Sequence, residues 1–281
     1  MKYEIYYKSY LQQVERLLSK LLPKATTRPP VIHEAMRYGV FSGGKRFRPI
    51  LTLAACEALG GDIREGLYPA CAVELIHAYS LIHDDLPALD NDDLRRGRPT
   101  CHKKYGEAIA ILAGDGLLTL AFQVVSRVRP PETAAKVLAE LSTEAGSYGM
   151  IGGQVADLVN GQKERDLPTL DYISIHKTGK LIKASAACGA FAAGASQEAF
   201  EKVVRFGELI GLAFQSVDDL IDRDGYFQIL KSSEIRDKAR DLIAQAKREI
   251  RPFGKKAQKL HQLAEFLSRR MPRRTHVAVD R

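Results

Sequence analysis

His77-Ala78-Tyr79-Ser80-Leu81-Ile82-His83-Asp84-Asp85-Leu86-Pro87-Ala88-Leu89-Asp90 is the stretch from which the fold and the chemistry of this chain are read. Apolar residues recur at three- and four-residue steps across 64–86, which is the period of a helix. That helix ends in two carboxylates among apolar neighbours, where unpaired charge is costly to bury. Asp84 and Asp90 are six residues apart and would point about 120° apart on an unbroken helix. Pro87 lies between them, and a proline there removes a helical hydrogen bond and bends or ends the helix. The chain is therefore expected to bulge and bring Asp90 back towards Asp84. Two carboxylates about 4 Å apart repel by about 1 kcal/mol in water and about 4 at an effective dielectric of 20. A cation between them resolves the conflict, and oxygen donors suit Mg²⁺, which binds through a few carboxylates, water and substrate phosphates. A calcium loop of the EF-hand type is excluded, because its glycine and its twelfth-position glutamate are absent.

A second acidic cluster, Phe214-Gln215-Ser216-Val217-Asp218-Asp219-Leu220-Ile221-Asp222, repeats the pattern far downstream. Asp218 and Asp222 share a helix face, with Gln215 one turn earlier. A solvated acidic face is the bland alternative. The apolar neighbours Ile210, Leu212, Phe214, Val217, Leu220 and Ile221 argue against it.

Working outward, helical periodicity covers 5–22, 31–41, 64–86, 107–127, 168–191, 197–221 and 234–250. Breaks are expected at Arg28-Pro29-Pro30, Ser42-Gly43-Gly44, Gly60-Gly61, Arg129-Pro130-Pro131 and Gly152-Gly153. Strand-like alternation is not evident, and no linker divides the chain. The expected architecture is one all-α domain over residues 1–281, a large helical bundle around a deep central cavity.

Hydrophobic and charged contents of 45% and 27% suit a globular protein. Cys56, Cys71, Cys101 and Cys188 form no Cys-x-x-Cys pair, which argues against a zinc site or a disulfide framework and for a cytoplasmic setting. The most apolar stretch, 108–122, is interrupted by Asp115, so stable membrane insertion is not expected. Residues 1–222 carry 26 Lys and Arg against 27 Asp and Glu, whereas 223–281 carry 16 against 7. The basic excess thus belongs to the C-terminal fifth. That segment lacks aromatic interleaving and any nucleic-acid-binding pattern, so it reads as a solvated helical face and no nucleic-acid partner is expected.

Three basic segments accompany the acidic ones: Gly43-Gly44-Lys45-Arg46-Phe47-Arg48-Pro49, Arg95-Arg96-Gly97-Arg98-Pro99 and His176-Lys177-Thr178-Gly179-Lys180. Guanidinium forks match phosphate oxygens, and glycines let backbone N–H groups approach an anion. Each segment alone reads as a surface turn, and His77 alone as a core histidine about 10 Å of helical rise before Asp84. Together, acidic and basic linings point to a polyanion held with metal.

These segments, in this order from about residue 30 to 222, resemble the trans-isoprenyl diphosphate synthases. Within that family the likeness is to the bacterial farnesyl type, whose first acidic motif carries the same two extra residues. The resemblance implies an all-α bundle around a deep cavity, usually a homodimer. It implies that Asp84 and Asp90 on one side and Asp218 on the other hold three Mg²⁺ ions on an allylic diphosphate, with Asp85, Asp219 and Asp222 acting through water or by orienting ligands. Arg95 and Lys177 would bind the same diphosphate, and Thr178 and Gln215 would present oxygen dipoles to the allylic cation. Isopentenyl diphosphate would lie on Lys45, Arg48, His77 and Arg96. Tyr79, five residues before Asp84, would floor the tail pocket near fifteen carbons, with Ser80 leaving room beside it. The implied product is farnesyl diphosphate, with geranylgeranyl diphosphate as the alternative.

The match fails after Asp222. A long glycine- and lysine-bearing loop is usual there, but Asp222-Arg223-Asp224-Gly225 runs almost at once into Tyr226. The abrupt junction is read as a segment left out of the sequence rather than a loop lost from the protein, and Lys231 is not given the missing lysine's role. Other classes remain to be separated. A terpene cyclase would not need the second cationic set, and a non-catalytic subunit would be expected to lose an acidic cluster.

Overall fold

The computed structural model describes residues 2–160 and 166–272 and is built from helices around one apolar core. In chain order, α1 is Lys2–Leu21, α2 Pro30–Phe41, α3 Phe47–Ala58, α4 Ile63–Asp84, α5 Cys101–Tyr105, α6 Glu107–Val125 and α7 Pro131–Ala145. There follow α8 Met150–Asn160, α9 Leu167–Ile173, a π-helical turn Ser174–Gly179, α10 Lys180–Ala192, α11 Gln197–Asp222, α12 Ser232–Glu249 and α13 Gln258–Arg270.

The middle of the bundle is α4. Asp62 caps it, its side chain accepting the Arg64 N–H at 2.9 Å. Buried residues then run almost without interruption from Pro69 to Ile76. A helix apolar on all sides belongs inside a protein, and α4 packs against α3, α6 and α10. The helix α3 is buried in the same way, from Phe47 to Cys56. With no polar face it has no period to read, which is why sequence periodicity passed over it. The α6 segment is long and apolar enough to cross a membrane by length and composition; here it packs on α2, α4 and α5.

The expected break at Gly152-Gly153 is corrected: both glycines lie inside α8. Their role is close approach. A Cβ on Gly153 would collide with the backbone of Lys177 in the π-helical turn. Across the turn, Gly211 of α11 meets Gly179, where a Cβ would come within 2.8 Å of the Gly179 Cα. Two helices thus clamp the Lys177-Thr178 backbone through glycines, and the single expected helix over 168–191 is α9 and α10 joined by that turn. Such insertions often mark functional sites.

The expectation of no strands is also corrected in one small place. Leu94–Arg95 pairs antiparallel with Arg98–Pro99, and Arg96 and Gly97 make the turn with φ of 55° and 75°. Two positive φ values in succession match the right-handed twist of a tight hairpin. Strands of two residues are too short to show alternation.

The reading of an omitted segment after Asp222 does not hold, because the chain is continuous and well packed there. Arg223 ends α11 in the left-handed conformation (φ 58°), and Asp224 caps a 3₁₀ turn over Gly225–Gln228. Tyr226 is wholly buried. Its N–H donates to Asp219 Oδ2 at 2.9 Å and its hydroxyl to Asp171. Gly225 has φ 55° and faces the Asp219 carboxylate with no room for a Cβ.

Candidate active site

The bulge at Pro87 forms as the sequence required. Asp90 donates its backbone N–H to the Asp84 carbonyl at 2.9 Å, and Asn91 donates to Leu86 at 3.1 Å. Asp84, at the end of α4, lines a cavity of about 390 Å³ with His77, Tyr79, Ser80, Lys177 and Thr178. Burial pushes its carboxyl up to about 6, with the Lys177 ammonium opposing and Asp90 reinforcing the rise. Tyr79 is 5% exposed and leaves its hydroxyl without a partner. It meets His83 edge-on at 5.8 Å, and Gly114 of α6 makes room for that imidazole. Ser80 donates its hydroxyl to the His77 carbonyl at 3.1 Å.

A second cavity, of about 790 Å³, is lined by Lys45, Arg48, His77, Arg96, Phe214, Asp218 and Arg270 among others. Arg48 and His77 are common to both cavities. Arg48 Nη1 donates to His77 Nε2 at 3.4 Å. Burial, followed by the charges of Arg48 and Arg96, drives the imidazole well below its usual 6.5. His77 is therefore neutral, with its proton on Nδ1. Arg96, at the hairpin tip, donates to the Gly43 carbonyl. A third cavity, of about 140 Å³, shares Lys177 and Thr178 with the first and adds Gln215 and Asp219. Through these shared walls the two acidic clusters border one connected space.

Several predicted residues already have protein partners. Arg95 binds Asp85 at 2.5 Å and Asp92 at 3.1 Å, and Lys177 binds Asp157 at 2.6 Å. Thr178 donates to Gln215 Oε1 at 2.7 Å, and Gln215 passes its own amide N–H to Asp219 at 2.6 Å. The oxygen of Gln215 is thus turned to Thr178, and Thr178 is the member of the pair that faces the largest cavity wall beside Asp84. Asp85 and Asp219 are held by protein donors, which leaves Asp84, Asp90 and Asp218 as the freer carboxylates. Asp218 itself pairs with Arg270 at 2.8 Å.

Among the described residues, no three His, Cys, Asp or Glu side chains converge as a ready metal cage. The available donors are carboxylate oxygens on opposite walls. Such a set fits Mg²⁺, which binds through one or two carboxylates and takes the rest of its shell from water and phosphate.

Residues beyond the sequence reading also line the site. Gln154 borders the first cavity, its Oε1 buried without a partner; it follows the two glycines read as a break. Arg270 borders the second, and was submerged in a basic C-terminal segment read as a solvated face.

Residues 29–241 match the polyprenyl synthetase family model. A chloroplastic geranylgeranyl pyrophosphate synthase of Capsicum annuum is 40% identical, over 94% of this chain and 79% of its own length. The farnesyl diphosphate synthase of Geobacillus stearothermophilus is 47% identical, over 76% and 73%. Among solved structures, an FPP/GFPP synthase from Zymomonas mobilis, without ligand, superposes with a TM-score of 0.90 at 35% identity, over 95% of this chain and 99% of that one. The chain belongs to the polyprenyl synthetase family and has its all-α isoprenoid synthase fold.

Proposed function

We propose that this protein is a short-chain trans-prenyltransferase that condenses isopentenyl diphosphate with dimethylallyl or geranyl diphosphate to give farnesyl diphosphate. The observation that carries this reading is the pair of cavities sharing Arg48 and His77. One joins an acidic mouth to an apolar tail space, and the other is lined by cations. A substrate that ionises and a second diphosphate that attacks it need that arrangement.

Asp84, Asp90 and Asp218 would hold Mg²⁺, three ions by family likeness, and bound Mg²⁺ supplies charge stabilisation for a leaving diphosphate. Lys177 orients the allylic diphosphate from the π-helical turn, and Arg95 adds its guanidinium once released from Asp85 and Asp92. The C1–O bond breaks with its electron pair leaving on the diphosphate. Thr178, positioned by Gln215, presents its oxygen to the resulting allylic cation. Lys45, Arg48, His77 and Arg96 hold isopentenyl diphosphate so that its double bond supplies the pair for the new C–C bond. The proton then lost passes to the departed diphosphate. Fixed charges and dipoles that need no reorganisation do most of such work.

Tyr79 forms the floor of the tail cavity, which supports a fifteen-carbon product. The names of the relatives, farnesyl and geranylgeranyl synthases alike, keep geranylgeranyl diphosphate as the second reading. We read residues 1–281 as one synthase domain acting in the cytoplasm as a homodimer. Exposed Ile111 and Leu112 on α6, and Ile151, Val155, Leu158 and Val159 on α8, support the pairing.

The test is to supply Mg²⁺ and isopentenyl diphosphate with each of dimethylallyl, geranyl and farnesyl diphosphate and to measure product length. Farnesyl diphosphate from the first two starters is the expected result. A twenty-carbon main product would select the second reading. A non-catalytic subunit would elongate none of them.

A further inference from the structure

Arg270, the last residue of α13, reaches into the second cavity and pairs its Nη2 with Asp218 Oδ1 at 2.8 Å. Its guanidinium lies 5.3 Å from the centre of the Phe214 ring, which packs on Phe47 at 5.2 Å. Its other terminal nitrogen, Nη1, is buried with no hydrogen-bond partner. A planar guanidinium that uses one edge and leaves the other unmet is poised for a second oxygen anion.

The surroundings have an excess of positive charge. Lys45, Arg48 and Arg96 line the same cavity. Of its acidic residues, Glu74 is already paired with Arg46 at 2.6 Å. Burial and then Arg270 depress the Lys45 ammonium. Asp218 is the carboxylate that the metal would need, and Arg270 occupies it.

We propose that Arg270 serves two partners in turn: it is the counter-cation of Asp218 in the metal-free protein, and it becomes a ligand of the second, metal-free diphosphate once a metal takes Asp218. This deepens the synthase reading of the same cavity and rests on it. The exchange requires no new cation at the second wall and links α13 to substrate order. Metal at Asp218 frees the guanidinium, and the freed guanidinium favours the second diphosphate. By linkage the coupling runs both ways.

The exchange makes two predictions of opposite sign for Arg270→Gln. Without its internal competitor, Asp218 should bind divalent metal about 3- to 10-fold more tightly in the absence of substrate. Isopentenyl diphosphate should bind the Mg²⁺-loaded protein about 10- to 100-fold more weakly, the loss expected for one charged hydrogen bond. Both are read by titration calorimetry on the full chain, with Mg²⁺ alone and then with isopentenyl diphosphate at saturating Mg²⁺. A merely structural role for Arg270 would weaken both or neither, and either result overturns the proposal. If Arg270→Gln does not fold, Arg270→Lys decides. It keeps the charge but loses the fork, so the second diphosphate should bind several-fold more weakly, and unchanged binding overturns the proposal. Neither titration needs turnover. Wild-type protein that elongates no starter would overturn the synthase reading, whereas elongating wild type with unaltered titrations in Arg270→Gln would overturn only the role of Arg270.

Discussion

The backbone N–H of Asp90 donates to the carbonyl of Asp84 at 2.9 Å. That bond closes the Pro87 bulge and returns a carboxylate six residues on to the mouth occupied by the first. Asp84→Asn and Asp90→Asn should each lower kcat by about 10²- to 10³-fold, the range seen when one electrostatic stabiliser is removed. Asp93 points elsewhere, pairing with Lys103 at 2.7 Å on the surface. Asp93→Asn should stay within about threefold of wild type, since exposed ion pairs contribute little. Steady-state kinetics on the three variants checks the contrast.

Tyr79 stands in the tail cavity with its hydroxyl unpartnered, so its ring is held by packing against His83 rather than by a hydrogen bond. Tyr79→Ala removes that floor and should shift the main product from fifteen to twenty or more carbons, as read by chromatography of the dephosphorylated alcohols. An unchanged fifteen-carbon product would remove Tyr79 from chain-length control.

Burial holds both Asp84 and Asp219 at about 6 against an ordinary 3.8. A carboxyl whose folded pKa is raised contributes stability below its unfolded pKa and loses it as pH rises through the folded value. In chelator, these two groups therefore make the protein less stable at pH 7.5 than at pH 4.5. Asp84→Asn removes one share of that cost. Its Tm should exceed that of wild type by a few degrees at pH 7.5, with the gap shrinking towards pH 4.5. Saturating Mg²⁺ at pH 7.5 should raise the wild-type Tm and leave the variant nearly unmoved.

The helical class, the Asp84–Asp90 return and the cationic wall were legible because each rests on local rules: a 3.6-residue period, a proline in a helix, arginines beside glycines. What escaped reading depends on contacts between distant segments. Gly153 looked like a helix breaker, yet it lies inside α8 because Lys177 presses against it. The helix α3 lacked a period because it is buried on nearly all sides. Arg270 carried no local signal at all, and its importance appears only when α13 sets it beside Asp218. The junction after Asp222 misled for a similar reason. Its completeness is visible only in the bond from Tyr226 to Asp219.

That junction yields its own test. Gly225 adopts φ 55°, and a side chain there would meet the Asp219 carboxylate. Gly225→Ala should destabilise the protein by about 2 kcal/mol through left-handed strain and steric conflict. Denaturant unfolding measures this. Little change in midpoint would mean that Asp219 can yield without cost.

The most direct measurement is turnover of isopentenyl and geranyl diphosphates by purified protein, with saturating Mg²⁺ and with chelator, in wild type and Asp218→Ala. The expected result is Mg²⁺-dependent formation of farnesyl diphosphate, abolished by chelator and reduced at least about 10²-fold in the variant. No elongation by wild type with Mg²⁺, or turnover in Asp218→Ala equal to wild type, would contradict the assignment of the two acidic walls to one ionising site.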